Sequence, residues 1–447
     1  MGAIAGIAQS GMQNEVNQML NKMVHRGLDG RTVFEVKENT LGMIWTNGQQ
    51  RLNNNRDDLG VVSDFVSDGH EVYATIEGKS LRLQRDQLGI APLYYGLNED
   101  KVLCFASEVK GLLPQTNQIT ILPPGHSYQN GKRSCYYQLQ KKPIIHLNCS
   151  AIAERLQTLL AKSVHKFTQH FEVIGSWLSG GLDSSAISAL ASPKVEKMHT
   201  FAVGLNGSPD LRHAQTVANF INSEHHEVIL SLEELIEALP QVIYHLESFD
   251  TLLVRSALTN FLVAAESSRY VPAVLSGEGA DELFAGYEYL KTLNLYELSN
   301  ELIDITQRLH NTALQRVDRC ASAHNTIAHV PFLDPAVVYF ALQIPPELKL
   351  NDGIEKWILR KAMLGWLPKS VLLRKKSKFW QGAGVLQVLT NYADKQIADS
   401  EFLQERYLPN NWLLYSKEEL LYYRIFRNLF GDIPNLSWMG RTKRTSN

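Results

Sequence analysis

Hydrophobic positions change their period along the chain, and these changes predict the order of secondary structure. In the segment 13–24, apolar residues recur at the i, i+3, i+4, i+7 spacing of one helical face, namely Val16, Met19, Leu20 and Met23. Short segments rich in β-branched, aromatic or other apolar residues follow, separated by Asn, Asp and Gly clusters. They cover residues 31–36, 41–46, 71–76, 80–85 and 102–106. The first part of the chain is therefore predicted to be mostly antiparallel sheet.

A different pattern begins after a polar stretch at residues 138–150, which lacks periodicity and is typical of a connection between domains. Ser150 is expected to cap a helix that buries one side. Predicted strands at 171–178, 200–205, 226–230 and 271–275 then alternate with helical segments, which favours an α/β fold with a parallel sheet. From about Asn294 the pattern is mainly helical, and residues 441–444 are interpreted as a solvated tail. The predicted domains are residues 1–145 and 150–447.

Composition and charge argue against several functional classes. The 447 residues include 44 Lys plus Arg and 46 Asp plus Glu, a formal net charge of -2 that gives no reason to expect nucleic acid or an anionic membrane as a partner. No apolar run reaches the ~20 residues of a membrane helix, and the first residues do not resemble a signal peptide. The four cysteines form no C-x-x-C pair, so a reducing, cytoplasmic location is expected.

The most informative segment joins a predicted strand to a predicted helix through two adjacent glycines. It consists of Leu178, Ser179, Gly180, Gly181, Leu182, Asp183, Ser184 and Ser185. Glycines let the backbone approach an anion closely, and a helix N-terminus adds partial positive charge, so the loop is predicted to bind phosphate. It is neither a Walker loop nor a G-x-G-x-x-G dinucleotide loop. A plain glycine turn with serine caps is the alternative interpretation.

A second segment, at the end of another predicted strand, places three acidic residues among four small ones. It consists of Ser276, Gly277, Glu278, Gly279, Ala280, Asp281 and Glu282. Such a run by itself is also compatible with a solvated acidic loop. Together with the glycine loop, it predicts a site where carboxylates approach a metal ion and a reacting group.

The two segments together resemble those of the asparagine synthetases. The S-G-G-L-D-S-S loop is similar to the pyrophosphate loop of the N-type ATP pyrophosphatases, and residues 276–287 are similar to the S-G-E-G-x-D-E-x-F-x-G-Y segment of asparagine synthetases. Residues 201–205, 330–334, 355–360 and 374–379 agree in the same order. The resemblance implies a HUP-like ATP pyrophosphatase domain with a parallel sheet and additional C-terminal helices, preceded by an Ntn-hydrolase-like α+β sandwich.

The resemblance also implies an activity and roles for individual residues. The expected enzyme is an ATP- and Mg²⁺-dependent ligase that activates a carboxylate as an acyl-adenylate, releases pyrophosphate and transfers ammonia or another amine. Asp183 and Asp281 are implied to hold Mg²⁺, and Glu278 to act as general base. Lys376 would neutralise pyrophosphate, and Arg255 would steady phosphate or carboxylate. The adenosine pocket is implied to include Leu178, Val203 and Gly277.

Alternatives remain open for some of these residues. Lys376 lies in a basic cluster that could be a solvated face, and Arg255 could instead pair with a buried carboxylate such as Asp250. The adjacent His225 and His226 are more typical of a strand surface than of a metal site, because no third ligand accompanies them at a recognisable spacing.

Two departures from the family pattern qualify the expected activity. Residues 1–7, 25–30, 85–95 and 106–110 resemble the glutaminase half of asparagine synthetase, but Gly2 stands where that family carries its nucleophilic cysteine. The domain is interpreted as degenerate, and nitrogen is expected from ammonia, another amine or a separate amine-supplying partner. Leu252 and Leu253 stand where that family typically carries two threonines. This exchange removes hydrogen-bonding capacity and places aspartate in doubt as the substrate.

Other functions are compatible with the same motifs. A non-catalytic nucleotide-binding protein is one alternative, and an amide-forming ligase of a biosynthetic pathway with a non-aspartate substrate is another. A transfer-RNA modifying ligase is disfavoured because the chain lacks a basic surplus. The expected partners are a small-molecule carboxylate and ammonia or an amine, and the chain is compatible with a homodimer or with a separate amine-supplying partner.

Overall fold

The first part of the chain forms two antiparallel sheets. The protein is described by a computed structural model that covers residues 2–46, 61–67, 70–78, 80–374, 385–409 and 412–443. A six-stranded sheet has the order β2-β3-β1-β8-β7-β9 and a five-stranded sheet the order β11-β10-β6-β5-β4. The strands are β1 (Gly2–Ile7), β2 (Gly30–Val36), β3 (Asn39–Trp45), β4 (Val61–Ser67), β5 (His70–Glu77), β6 (Ser80–Gln84), β7 (Tyr94–Leu97), β8 (Leu103–Ala106), β9 (Ile119–Ile121), β10 (His126–Gln129) and β11 (Lys132–Cys135).

The alternation of side chains in β1 explains how these sheets pack. Ile4 faces the second sheet and contributes to a core with Leu41 and Phe105. Its neighbours Ala3 and Ala5 face the opposite way, toward the helices α1 (Gln13–Asn21) and α2 (Val109–Leu112). Every residue of β1 is buried because both faces of the six-stranded sheet are covered. The predicted α+β sandwich is confirmed.

The second part contains a five-stranded parallel sheet, which confirms the predicted α/β fold. Its order is β14-β13-β12-β15-β16, and each neighbouring pair is parallel. The strands are β12 (Val173–Trp177), β13 (Lys197–Leu205), β14 (Glu224–Leu230), β15 (Ala273–Leu275) and β16 (Ile327–His329). Strand β16 lies in a region that the sequence pattern predicts as helical. The pattern missed this strand because three residues are too few to show a strand period.

Helices surround this sheet and fill most of the rest of the chain. They are α3 (Cys149–Thr168), α4 (Leu182–Ala191), α5 (Pro209–Ile221), α6 (Leu232–Leu246), α7 (Thr251–Ser267), α8 (Ala280–Leu283), α9 (Leu295–Gln307), α10 (Ala313–Ser322), α11 (Pro335–Gln343), α12 (Pro346–Lys349), α13 (Trp357–Ala362), α14 (Lys369–Leu372), α15 (Val385–Gln396), α16 (Asp399–Glu405) and α17 (Lys417–Phe430). Within the described ranges, no helix has both the length and the apolar character needed to cross a bilayer.

The beginning of α3 corrects one sequence prediction. Its cap is Asn148, whose side-chain oxygen accepts a hydrogen bond from the backbone N–H of Ala151 at 2.9 Å. Ser150 lies inside the first turn. Both residue types are good caps, so the sequence alone could not choose between positions two residues apart.

The antiparallel and parallel parts meet across a buried cluster of charged side chains. Glu108 contacts Arg26 at 3.1 Å and also contacts Arg319, and all three side chains are at most 1% exposed. Arg26 reaches Asp318 at 2.8 Å, while Arg319 reaches Glu247 at 3.1 Å. One hydrophobic core also runs through both parts. The division into domains at residues 145–150 therefore stays a prediction.

Replacing Glu108 tests whether this charge cluster stabilises the fold. We expect Glu108→Gln to lower the free energy of unfolding by about 3–5 kcal/mol, because it removes the carboxylate shared by Arg26 and Arg319 and leaves a buried cluster with uncompensated positive charge. The measurement is urea unfolding at neutral pH. The matched control is Glu77→Gln, since Glu77 pairs with Arg82 at the surface, where 49% of the Glu77 side chain is exposed. That control should cost under about 1 kcal/mol, and equal losses would contradict the assigned role.

The same variant should change the dependence of stability on pH. Burial by itself would raise the pKa of Glu108, but the charges of Arg319 and Lys110 outweigh burial and hold this pKa well below its ordinary value of 4.5. The stabilisation is thus complete above pH 4.5 and is lost as the pH falls toward the lowered pKa. Below pH 4.5 the wild-type protein should lose stability more steeply than Glu108→Gln.

Candidate active site

The glycine loop connects β12 to α4, as the sequence predicts. The backbone N–H of Leu178 donates to the carbonyl of Phe201 in β13 at 2.8 Å, which fixes the start of the loop. Gly180 has a φ of +66°, and a Cβ at this position would lie 2.5 Å from the backbone nitrogen of Ala214. Both the left-handed conformation and the contact require glycine. The backbone of the loop is therefore determined by its neighbours in the fold.

Serine side chains tie this loop to the first turn of α4. The hydroxyl of Ser184 accepts from the backbone N–H of Ser179 at 3.2 Å, and the two hydroxyl oxygens lie 3.1 Å apart. The first backbone N–H groups of a helix have no partner within it, so they can bind an anion. Since α4 begins at Leu182 beside the loop, the arrangement is suited to phosphate.

A cavity of about 720 Å³ opens over the loop, a volume typical of small-molecule sites. Its wall contains most of the residues that the sequence predicts for nucleotide binding: Leu178, Ser179, Gly181, Leu182, Asp183, Ser184, Val203, Ser276 and Gly277. The predicted residues Gly180 and Ser185 belong to the loop and its helix but do not line the cavity. Ser185 is fully buried.

The acidic segment reaches the same cavity because of the sheet topology. Strand β15 is a parallel neighbour of β12, with Leu275 opposite Ser176, so the loops that follow both strands emerge at the same edge. Gly277 allows their close approach, since a Cβ there would lie 2.7 Å from the backbone nitrogen of Ser184. Two segments almost a hundred residues apart thus form one wall.

A buried lysine joins the two predicted metal ligands. The Nζ of Lys356 lies 2.7 Å from Oδ1 of Asp281 and also contacts Asp183, and its side chain is 2% exposed. The backbone N–H of Lys356 donates to the carbonyl of Phe284 at 3.1 Å. The carboxylates are therefore spaced to share one cation, and their hard oxygen atoms are the donors that Mg²⁺ prefers. This donor set fits the implied Mg²⁺.

The other two acidic residues of the segment have different surroundings. Glu278 forms an ion pair with Arg316 of α10 and remains 26% exposed toward the cavity that both residues line. Glu282 is buried and accepts a hydrogen bond from the hydroxyl of Tyr287. Burial, followed by the charge of Asp281, raises the pKa of Glu282 to about 7. Glu278 is consequently the more accessible of these two carboxylates.

One predicted catalytic residue, Arg255, does not line this wall. Arg255 donates from Nε to Glu418 at 2.7 Å and from Nη2 to Thr390 at 3.0 Å, and it does not line the described cavity. The role of Arg255 at phosphate or substrate therefore stays a prediction, and the fold gives this side chain a carboxylate partner from a distant segment of the chain. Asp250, the alternative partner, instead caps α7. Lys376 lies outside the described residues.

Two further parts of the cavity wall were not predicted from the sequence. Residues 441–443 are not a solvated tail, since Arg441 and Lys443 line the cavity. The guanidinium of Arg441 lies 4.7 Å from the Trp412 ring, and Lys443 binds Glu301 at 2.6 Å. Lys356 was missed as well, although it lies in the 355–360 segment that resembles asparagine synthetases. A local sequence signal for it therefore existed, but its partners are visible only in the structure.

Comparison with known proteins decides the family. The asparagine synthase family model matches residues 155–304 and 297–441, and the glutamine amidotransferase domain model matches residues 63–126. This chain belongs to the asparagine synthase family. It is 37% identical to asparagine synthetase B [glutamine-hydrolyzing] of Escherichia coli (strain K12) over 397 residues, which cover 82% of this chain and 71% of that protein.

A plant relative is similar over a comparable length. Asparagine synthetase [glutamine-hydrolyzing] 2 of Arabidopsis thaliana is 35% identical over 384 residues, which cover 79% of this chain. The match covers 65% of that plant protein, so the chain spans somewhat less than two thirds of its length.

Adjacent glycines provide a test of the loop geometry. We expect Gly180→Ala to lower the free energy of unfolding by about 1–3 kcal/mol, because the added methyl group would stand at a left-handed φ and would clash with the backbone of Ala214. Gly181→Ala should cost under about 1 kcal/mol, since Gly181 has a φ of -76° and its added Cβ meets only the Ser179 hydroxyl at 3.3 Å. Denaturant unfolding of both variants measures the difference, and similar losses would contradict this geometry.

Proposed function

We propose that this member of the asparagine synthase family is a Mg-ATP-dependent, AMP-forming amide ligase. The observation that supports this function best is the convergence of the phosphate-type loop, Asp183, Asp281 and Glu278 on one cavity. A non-catalytic nucleotide-binding protein would have no need for an accessible carboxylate beside a pair of metal-binding ones. We therefore favour catalysis over nucleotide binding alone.

On the nucleotide side, the phosphates of ATP would lie at the N-terminus of α4, with adenosine against Leu178, Val203 and Gly277. Asp183 and Asp281 would hold Mg²⁺, which would supply positive charge to the phosphates. Lys356 provides a further cation within the cavity wall. Lys376 is proposed, from the family resemblance, to neutralise the departing pyrophosphate.

The proposed reaction has two steps. An oxygen of the substrate carboxylate attacks the α-phosphorus of ATP, and the bond to the bridging oxygen breaks to release pyrophosphate. The nitrogen of ammonia or another amine then attacks the carbonyl carbon of the acyl-adenylate, and AMP departs with the bond electrons. Glu278 accepts the proton lost by nitrogen, while its ion pair with Arg316 orients the carboxylate. Activation is required because oxide is too poor a leaving group.

We propose that nitrogen does not come from glutamine hydrolysed by this chain. Gly2 has no side-chain nucleophile, and its backbone is held by the side chains of Asp64 at 3.0 Å and Arg26 at 2.7 Å. Cys104, the first cysteine in the sequence, is buried, and burial raises its pKa to about 12, so it is not a reactive thiolate. The antiparallel part is then a degenerate glutaminase that supports folding or shields the intermediate. Ammonia, another amine or a partner protein would supply the nitrogen.

The part of the cavity near Leu252 and Leu253, here called the acceptor side, is where the substrate carboxylate is proposed to bind. Its side chains favour a substrate other than aspartate. Leu252 and Leu253 both line the cavity, where they present branched apolar groups. Apolar side chains cannot compensate a polar substrate group for its lost hydration. We therefore propose, more specifically, that the enzyme forms an amide on a carboxylic acid whose remaining part is apolar. The assembly state stays a prediction, as does the cytoplasmic location.

A substrate panel tests the overall reaction. The full-length protein with Mg-ATP should release pyrophosphate and form AMP in equal amounts when an acceptable carboxylic acid and ammonium are both supplied. Aspartate and apolar monocarboxylic acids should be compared, with ammonium, glutamine and organic amines as nitrogen sources. Glutamine should support no more turnover than its contaminating ammonia, because Gly2 cannot attack it. Release of ADP, or equal rates with glutamine, would contradict the proposal.

Replacement of Glu278 separates the two steps. Glu278→Gln should lower the rate of amide formation by about 10²–10⁴-fold, because the general base is lost. Exchange of labelled pyrophosphate into ATP should be affected much less, since adenylate formation requires no proton transfer from nitrogen. Glu233→Gln is the matched control, because Glu233 is exposed on α6 and lies outside the described cavity wall. Equal losses in both half-reactions would rule out the assigned role.

A further inference from the structure

A second cluster of potential metal ligands lies on the parallel sheet, outside the described wall of the cavity. It consists of His199 on β13 with Glu224 and His226 on β14, whose potential ligand atoms all lie within 4.8 Å of one another. From the sequence alone, His226 is more typical of a strand surface, because no third ligand accompanies it at a recognisable spacing. The parallel register provides the missing ligands, since His199 lies opposite Glu224 and Phe201 lies opposite His226.

The three donor atoms have a separation that suits a single ion. Nδ1 of His199 lies 3.0 Å from Nε2 of His226, and Oε1 of Glu224 lies 4.0 Å from each of them. An ion at equal distances from the three donor atoms would lie about 2.2 Å from each of them, which is the radius of the circle through the three atoms. Zinc bonds to imidazole nitrogen at about 2.0–2.1 Å and to carboxylate oxygen at about 2.0–2.2 Å.

The surroundings also orient the ligands. Lys197 binds Oε2 of Glu224 at 2.5 Å, so Oε1 is the oxygen that faces the imidazoles. The His226 ring lies 4.8 Å from the Phe201 ring and 4.1 Å from the Tyr270 ring, between centroids. These ring contacts restrict the orientation of the imidazole, and apolar groups around a metal site limit the access of solvent to it. The side chain of Glu224 is 46% exposed, which provides a path for an ion from solvent.

We propose that His199, Glu224 and His226 bind one Zn²⁺ ion that clips β13 to β14. Two imidazoles and one carboxylate form a mixed nitrogen and oxygen donor set, which suits zinc, whereas Mg²⁺ prefers oxygen alone. Water would complete the coordination. Without zinc, the two imidazole nitrogens can share a hydrogen bond, which requires that one of them carries the proton. Binding of zinc would replace this bond. The proposed site is distinct from the Asp183 and Asp281 pair, so it does not depend on the ligase reaction.

The test measures zinc binding by the full chain after treatment with a chelator. Competition against a chromophoric chelator should show one equivalent of Zn²⁺ per chain. Glu224→Gln and His226→Gln should each weaken this binding about tenfold or more, because each removes a ligand. Glu227→Gln is the matched control, since Glu227 is an exposed acid on β14 that points to the opposite face from Glu224. Asp183→Asn should bind zinc as the wild-type protein does.

Two further measurements separate this site from adventitious binding. Zinc should raise the thermal unfolding temperature of the wild-type and Glu227→Gln proteins but not that of His226→Gln. Circular dichroism in chelator establishes that the variants are folded, and Glu224→Gln provides a second variant at an exposed position. Co²⁺ in place of zinc should give ligand-field absorption without a thiolate charge-transfer band. No stoichiometric binding, binding unchanged in both ligand variants, or a thiolate band would each overturn the proposal.

Discussion

Two negatively charged loops can approach each other in this protein because a buried cation lies between them. Lys356 contacts both Asp183 and Asp281, which follow different strands of the parallel sheet. Without a shared positive charge, carboxylates at this separation would repel each other in a partly desolvated environment. The cation therefore holds the glycine loop and the acidic loop in one wall. The position of Glu278, and hence the geometry available for catalysis, depends on this interaction.

The parallel sheet and the antiparallel sheets contribute differently to this arrangement. Parallel β12 and β15 deliver their loops to the same edge of one sheet, where backbone N–H groups and acidic side chains meet. The antiparallel part carries no cysteine at position 2, yet Arg26 and Glu108 bind it to the parallel part through ion pairs with Asp318 and Arg319. Loss of a nucleophile need not remove a domain that is built into the packing of its neighbour. This packing supports the proposal that the antiparallel part is a degenerate glutaminase retained for folding.

The proposed chemistry places different demands on the two sides of the cavity. The nucleotide side must bind concentrated negative charge, and backbone N–H groups, carboxylates for Mg²⁺ and Lys356 suit that task. The acceptor side must select a carboxylic acid and exclude water from the acyl-adenylate. The apolar side chains of Leu252 and Leu253 suit exclusion of water, but they reduce the polar contacts available to aspartate. Substrate choice can thus change on one side while activation is conserved on the other.

The sequence by itself determined the features that are encoded within short segments. The period of apolar residues predicted the two kinds of sheet. The two contiguous loops carried the family resemblance, which implied that Asp183, Glu278 and Asp281 belong to one site. Only the tertiary structure decided which side chains from distant segments meet. It paired Arg255 with Glu418 and placed His199 beside His226. Such contacts depend on strand register and helix packing, which bring together residues that have no spacing relation along the chain.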